Sequence, residues 1–151
     1  LPEQIWGLEA TLNTTINPEW TLGGTLHFQE GTREVDGDTK RVQSRFIQPW
    51  RVTGYAEYEP FDWFSNRLQF SFAPGHDRFP GSTAFGEGEV SDLFLLDYFA
   101  SFQTDYGEFR LGVENITNAQ YIPQFREATN VPGQYYAAQG RTVRLTYRVQ
   151  F

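Results

Sequence analysis

The sequence predicts an all-β chain, a segment of an antiparallel, up-and-down transmembrane β-barrel. Three observations predict it. Apolar and polar residues alternate strictly in successive segments, short and long connections take turns, and charges sit on one face of the predicted strands while aromatics gather at one end. Alternation at period two gives a strand one apolar and one wet face.

The first segment sets Trp6, Leu8, Ala10 and Leu12 against Gly7, Glu9 and Thr11. The second sets Trp20, Leu22, Gly24, Leu26 and Phe28 against Thr21, Gly23, Thr25, His27 and Gln29. The third has Trp50, Val52, Gly54, Ala56 and Tyr58 against Arg51, Thr53, Tyr55 and Glu57. A short fourth has Leu68, Phe70 and Phe72 on its apolar face. The fifth carries Leu96, Tyr98, Ala100 and Phe102, and the sixth Phe109, Leu111 and Val113. The last runs to the end of the chain, with Val143, Leu145, Tyr147, Val149 and Phe151 against Thr142, Arg144, Thr146, Arg148 and Gln150. These make about seven strands, several near the 9–11 residues a tilted membrane strand needs. No segment shows helical periodicity, so no helix is expected.

Connections at 13–19, 59–65 and 104–107 are short and carry Asn, Pro, Asp or Gly, as turns do. Those at 30–45, 74–92 and 117–139 run to roughly 15–23 residues, against a usual median near 4–6. Outer-membrane barrels have this rule, with short periplasmic turns and long outer loops. Trp20, Tyr58, Phe61, Trp63, Phe64, Phe102, Tyr106, Phe109 and Phe151 fall at the short-turn ends, as an aromatic girdle would. The wet faces carry Glu9, Arg51, Glu57, Arg67, Arg110, Glu114, Arg144 and Arg148. Such charges are too costly in a dry core but suit a wide barrel with a watery or plugged lumen. An open edge in lipid is not viable, so the chain is expected to be about the last seven strands of a barrel of about 22.

Composition narrows the classes. Aromatics make up 17% of the 151 residues, and the formal net charge is -7, which argues against a nucleic-acid partner. There is no Cys, which removes disulfides and thiolate chemistry, and no Met, so Leu1 is expected to be a cut end of something larger. Residues 1–151 then form one unit, with any earlier strands and plug absent. No apolar run is long enough for a membrane helix. That says nothing against a barrel, whose apolar residues are hidden by alternation.

Two motifs carry a resemblance. "FRLGVENITNAQYIP" (109–123) and "YYAAQGRTVRLTYRVQF" (135–151) resemble the C-terminal end of TonB-dependent outer-membrane receptors. The family pattern is Val-x-Asn-Leu-x-(Asn/Asp)-x-x-Tyr, a long loop, Gly-Arg, and a final strand ending in Phe. It is matched here by Val113, Asn115, Ile116 in place of Leu, Asn118, Tyr121, Gly140, Arg141 and Phe151. With "LFLLDYFASFQTDYG" (93–107), the chain is similar to ferric hydroxamate–citrate receptors of the aerobactin type. The resemblance implies a ferric siderophore as transported ligand, with no covalently bound cofactor. It also implies outer-membrane lipid and lipopolysaccharide around the wall, and a TonB energy-coupling complex acting through parts upstream. The final alternating residues Val143, Leu145, Tyr147, Val149 and Phe151 would then present the signal read by the barrel-assembly machinery.

Ligand in such receptors is held by plug apices and long outer loops. The candidates here are Arg33, Lys40, Arg41 and Arg45 in the first long loop; His76, Arg78, Phe79 and Phe85 in the second; and Tyr121, Phe125, Arg126, Tyr135 and Tyr136 in the third. Arginine supplies charge-assisted hydrogen bonds to an anionic chelate, and aromatics supply flat walls. Tyr121 also reads as a loop anchor and Asn115 as a strand-end cap. "VDGDTK" (35–40) lacks the further ligands of a calcium loop and reads as a turn. Glu87, Glu89 and Asp92 form an acidic loop cluster, read as solvated. His27 and His76 are isolated, so no metal site is expected. No nucleophile, base and acid share one wall, so no enzyme is expected. The competing readings are a passive channel or structural barrel and a soluble β-sandwich binding module.

Overall fold

A computed structural model describes residues 2–48 and 50–149. The strands are β1 (Glu3–Asn17), β2 (Trp20–Val35), β3 (Asp38–Arg41), β4 (Arg51–Phe61), β5 (Phe64–Ala73), β6 (Leu93–Thr104), β7 (Gly107–Glu114) and β8 (Thr142–Val149). They form one antiparallel sheet in the order β1-β2-β4-β5-β6-β7-β8, with β3 beside the outer part of β2. Apart from that hairpin, each strand pairs with its sequence neighbour. This is the predicted up-and-down meander.

Pairing register keeps the predicted faces. Thr21 stands opposite Glu57, Tyr55 opposite Gln69, Gln69 opposite Asp97, and Gly112 opposite Arg144, so the wet residues share one side of the sheet. Trp20 opposite Tyr58, Phe64 opposite Phe102 and Phe109 opposite Tyr147 share the other. Phe70 packs flat over Gly54, where an added Cβ would lie 2.5 Å from the ring. Glycine there lets a large side chain cover the neighbouring strand.

Apolar-face aromatics recur at a fixed interval. Positions 20 and 28, 50 and 58, 64 and 72, and 94 and 102 are all Trp, Tyr or Phe, each pair eight residues apart on or beside β2, β4, β5 and β6. At about 3.3 Å per residue and a tilt near 40°, eight residues rise about 20 Å, close to the apolar band of roughly 25 Å in an outer-membrane barrel. The turn-side row contacts itself. Trp20 and Tyr58 stack at 4.4 Å, Phe64 and Phe102 lie 4.8 Å apart, and Phe109 and Tyr147 4.2 Å. On the loop side, Trp6 meets Phe28 at 5.4 Å and Trp50 meets Phe72 at 6.1 Å. Sequence reading found the first row and missed the second.

Two expectations need correction. The stretch 30–45 is not simply a loop: β2 continues to Val35 and returns as β3 through a two-residue turn at Asp36 and Gly37. Both turn residues have positive φ (56° and 85°), which Asp-Gly tolerates and which matches strand twist. The turn itself agrees with the reading of "VDGDTK". A helix is also present, α1 (Gln124–Thr129), in the third long connection. Six residues are too few to display helical periodicity, and contacts with other loops hold it in place.

Among the described residues, the buried apolar side chains are Val42, Ile47, Ala73, Val90, Ala100 and Ala128. Only Ala100 lies within the wall proper, with Ala73 at its loop-side margin. The packed core therefore sits in the loops. Gly86 and Gly88 donate backbone hydrogen bonds to Thr129 and Ala128 carbonyls, joining the second connection to α1. Glu127 accepts from Ser91 N and Oγ at 2.9 and 2.8 Å. Gln124 Nε2 donates to Ser91 O at 3.0 Å, and Arg45 N to Gly86 O at 3.2 Å. These bonds make the three connections one cap over the loop-side end of the sheet.

Candidate functional site: a basic recess beneath the loop cap

The wet face is a ladder of paired polar groups. Glu9 meets His27 at 3.0 Å, Thr25 meets Thr53 at 2.7 Å, and Tyr55 OH donates to Asn13. Arg67 pairs with Glu57 and lies over the Tyr55 ring at 4.2 Å. Gln69 donates to Asp97, whose other oxygen accepts the Asn115 backbone N–H at 2.8 Å. Glu108 accepts from Ser101 at 2.5 Å and Arg110 at 2.9 Å, and Arg144 approaches Glu114 at 3.8 Å. A hollow of about 440 Å³ opens on this surface between Arg67, Arg110, Glu114 and Arg144. Its charges are balanced by carboxylates, so it presents no net field to a ligand.

The Val-x-Asn motif acts as a loop anchor. Asn115 and Asn118 both have positive φ (52° and 54°), which Asn tolerates better than other side chains. Asn115 Nδ2 donates to Ala119 O, and Ala119 N donates back to Asn115 Oδ1. Asn118 Oδ1 accepts from Arg141 N at 3.0 Å, tying the start of the third connection to the start of β8.

At the loop-side end the charge balance fails. A recess of about 310 Å³ lies where the wet face runs under the cap. Arg51 enters from the first position of β4, Leu93 and Leu95 from β6, and Arg45 and Ser44 from the first connection. Tyr121, Phe125 and Gln124 enter from the third. None of the ion pairs among the described residues includes Arg45 or Arg51. Phe46 and Phe85 hold the Arg45 guanidinium at 4.3 and 4.6 Å from their ring centres, and Gln43 accepts from its Nε at 3.1 Å. The arginine is thus positioned without being neutralised. Ser44 Oγ and Gln124 Oε1, on residues that line the recess, have no hydrogen-bond partner in the protein.

The predicted loop residues divide. Arg45, Tyr121 and Phe125 meet in this recess. Arg78 does not: its side chain is 6% exposed, forms a two-pronged pair with Glu30, and donates to Val42 O. Arg33 reaches toward Glu87 at 4.0 Å. His76 is bridged to Val90, and both its ring nitrogens are buried without a partner. Burial, with the Arg78 charge beside it, holds its imidazole below the usual histidine range. Phe79 lies half-buried in the second connection. Arg126 sits over Tyr136 at 4.8 Å, and Tyr135 OH donates to Asn130.

Lys40 and Arg41 lie exposed on β3. Val143, Leu145, Tyr147 and Val149 share the apolar face of β8; Phe151 lies outside the described residues. Sequence reading placed Arg51 on the wet face but not in a site, and missed Ser44 and Gln124. The available signal was a wet-face arginine at the loop end of its strand. Among the described residues, no group of three His, Cys, Asp or Glu side chains is placed to hold a metal ion.

No protein-family model matches the chain. Solved structures do. The copper transporter OprC superposes with a TM-score of 0.76 at 15% identity, covering 93% of this chain and 22% of that one. The closed form of the ferric-catecholate import receptor Fiu from K12 E. coli gives 0.70 at 18% identity, covering 99% and 21%. The chain thus spans about a fifth of the length of these two proteins. At such identities the similarity concerns architecture. The chain has the all-β, up-and-down antiparallel barrel-wall fold found within these two transport proteins.

Proposed function

We propose that the chain is the wall and outer-loop portion of a TonB-dependent outer-membrane receptor that imports a metal chelate, a ferric siderophore in the first instance. The eight-residue aromatic interval on four successive strands carries this reading, because it matches the thickness a barrel must span. The paired wet face suits a hydrated or plugged lumen. The resemblance in the Asn115–Tyr121 and Arg141–Phe151 motifs supports the receptor family, as does the fold shared with two metal-importing proteins.

A chelate is favoured over a bare copper ion by composition. The segment has no Met or Cys to supply soft ligands, and its two histidines stand apart. Energy coupling and the plug belong to other parts of such a receptor, as does contact with the TonB complex. Lipopolysaccharide would surround the wall, and the barrel-assembly machinery would read the β8 face.

Fractionated cells probed with an antibody to this segment test the reading. The expected result is an outer-membrane band much heavier than 17.5 kDa, with mobility that changes on boiling. Uptake of iron chelate by those cells should stop when TonB is deleted. A soluble band at the mass of the segment overturns the proposal.

A further inference from the structure

We infer that Arg45 and Arg51 form a subsite for a carboxylate arm, so that the imported chelate is anionic and carries a free carboxylate on its periphery. This deepens the receptor reading and rests on it. The argument begins with charge. The chain is net -7, and the wet-face arginines Arg67, Arg110 and Arg144 each have a carboxylate beside them. Arg45 and Arg51 have none among the described ion pairs, although they line one recess from two different elements. Two cations lining a small recess repel each other unless an anion is shared, and a guanidinium pairs best with a planar two-oxygen acceptor.

Size decides which part of a ligand enters. About 310 Å³ is at the bottom of the range for sites that enclose a whole small molecule. It suits one arm of a chelate, with the metal centre remaining in the lumen. Tyr121 and Phe125 supply flat walls beside the arginines, and Leu93 and Leu95 exclude water from one side. Exclusion of water strengthens the ion pair. Arg51 projects from the wall and Arg45 from the cap, so the arm would bridge the two.

The test uses the full-length protein that carries this segment, purified in detergent, with two probes titrated by calorimetry. One is ferric dicitrate, anionic with peripheral carboxylates. The other is a neutral ferric trihydroxamate without a carboxylate. Arg51→Gln should weaken ferric dicitrate roughly tenfold and leave the trihydroxamate affinity within twofold. Arg51→Lys should recover part of the loss, since it restores charge without the fork. Retained mobility change on boiling shows that each variant has folded. An unchanged Kd for ferric dicitrate in Arg51→Gln overturns the inference, as does an equal loss for both probes. If the wild type binds neither probe but cells still take up another chelate through TonB, the subsite falls and the receptor reading stands. If no TonB-dependent uptake is found, both fall.

Discussion

The wall and the cap are built on opposite principles. In the wall, residues such as Leu12, Leu68, Val143 and Leu145 are 45–71% exposed, and both faces of the sheet lack a second layer. In the cap, Val42, Ile47 and Val90 are at most 2% exposed within irregular connections. Most soluble domains do the reverse, burying the sheet and leaving loops wet. The difference shows where each part finds its apolar partner. The wall needs lipid on one side and a hydrated or plugged lumen on the other, whereas the cap supplies its own core.

Substitutions that treat the two regions differently test this contrast. The largest effect is expected at Leu68, midway between Phe64 and Phe72 on the apolar face. Leu68→Arg should cost about 2–4 kcal/mol in lipid and sharply reduce the heat-modifiable band. Ser71→Arg on the wet face of the same strand should cost less than about 1 kcal/mol in the same unfolding assay. Equal costs would mean that the assigned faces are wrong.

Next comes the cap. Ile47→Ala should cost about 2–4 kcal/mol of local stability. Limited proteolysis should cut the loops of this variant faster while the mobility change on boiling persists. Loss of the whole barrel would instead show that wall and cap are one cooperative unit.

A smaller effect is expected from the girdle. A double-mutant cycle on Trp20 and Tyr58, each changed to Leu, should give a coupling of about 0.5–1.5 kcal/mol from their stacking. Coupling near zero would deny the pair an energetic role beyond burial.

The gentlest test is pH. His76 is held neutral by burial and by Arg78, so its folded pKa lies below the unfolded value of 6.5. At low pH the unfolded cap then binds more protons than the folded one. Cap stability should fall as pH drops through 6.5 and level off below the folded pKa, while the wall should not respond to this residue. His76→Gln should flatten that part of a proteolysis-against-pH curve. An unchanged curve would mean that the imidazole titrates freely.

These contrasts also mark what could be read beforehand. The strand faces were legible from Trp20 to Phe28 and from Val143 to Val149, because period two is a local property that the pleat copies directly. The turn-side aromatics were legible for the same reason. The loop-side row was missed because Trp6, Trp50 and Phe94 align with their partners only once register is known. Arg78 and Arg45 looked equivalent in sequence, both being loop arginines beside a phenylalanine. One is bound to Glu30 and the other is left without a carboxylate, and pairing across 48 residues has no local signature.

The sequence by itself determined the all-β class, the up-and-down order and the side of the sheet each residue faces. Alternation and turn chemistry act between near neighbours, so the chain declares them in order. Only the tertiary structure decided that three long connections fold into one cap, that α1 forms within it, and that Arg51 of the wall meets Arg45 of the cap. Those outcomes depend on contacts between residues far apart in the chain. Shape and charge select them there, and no period records them.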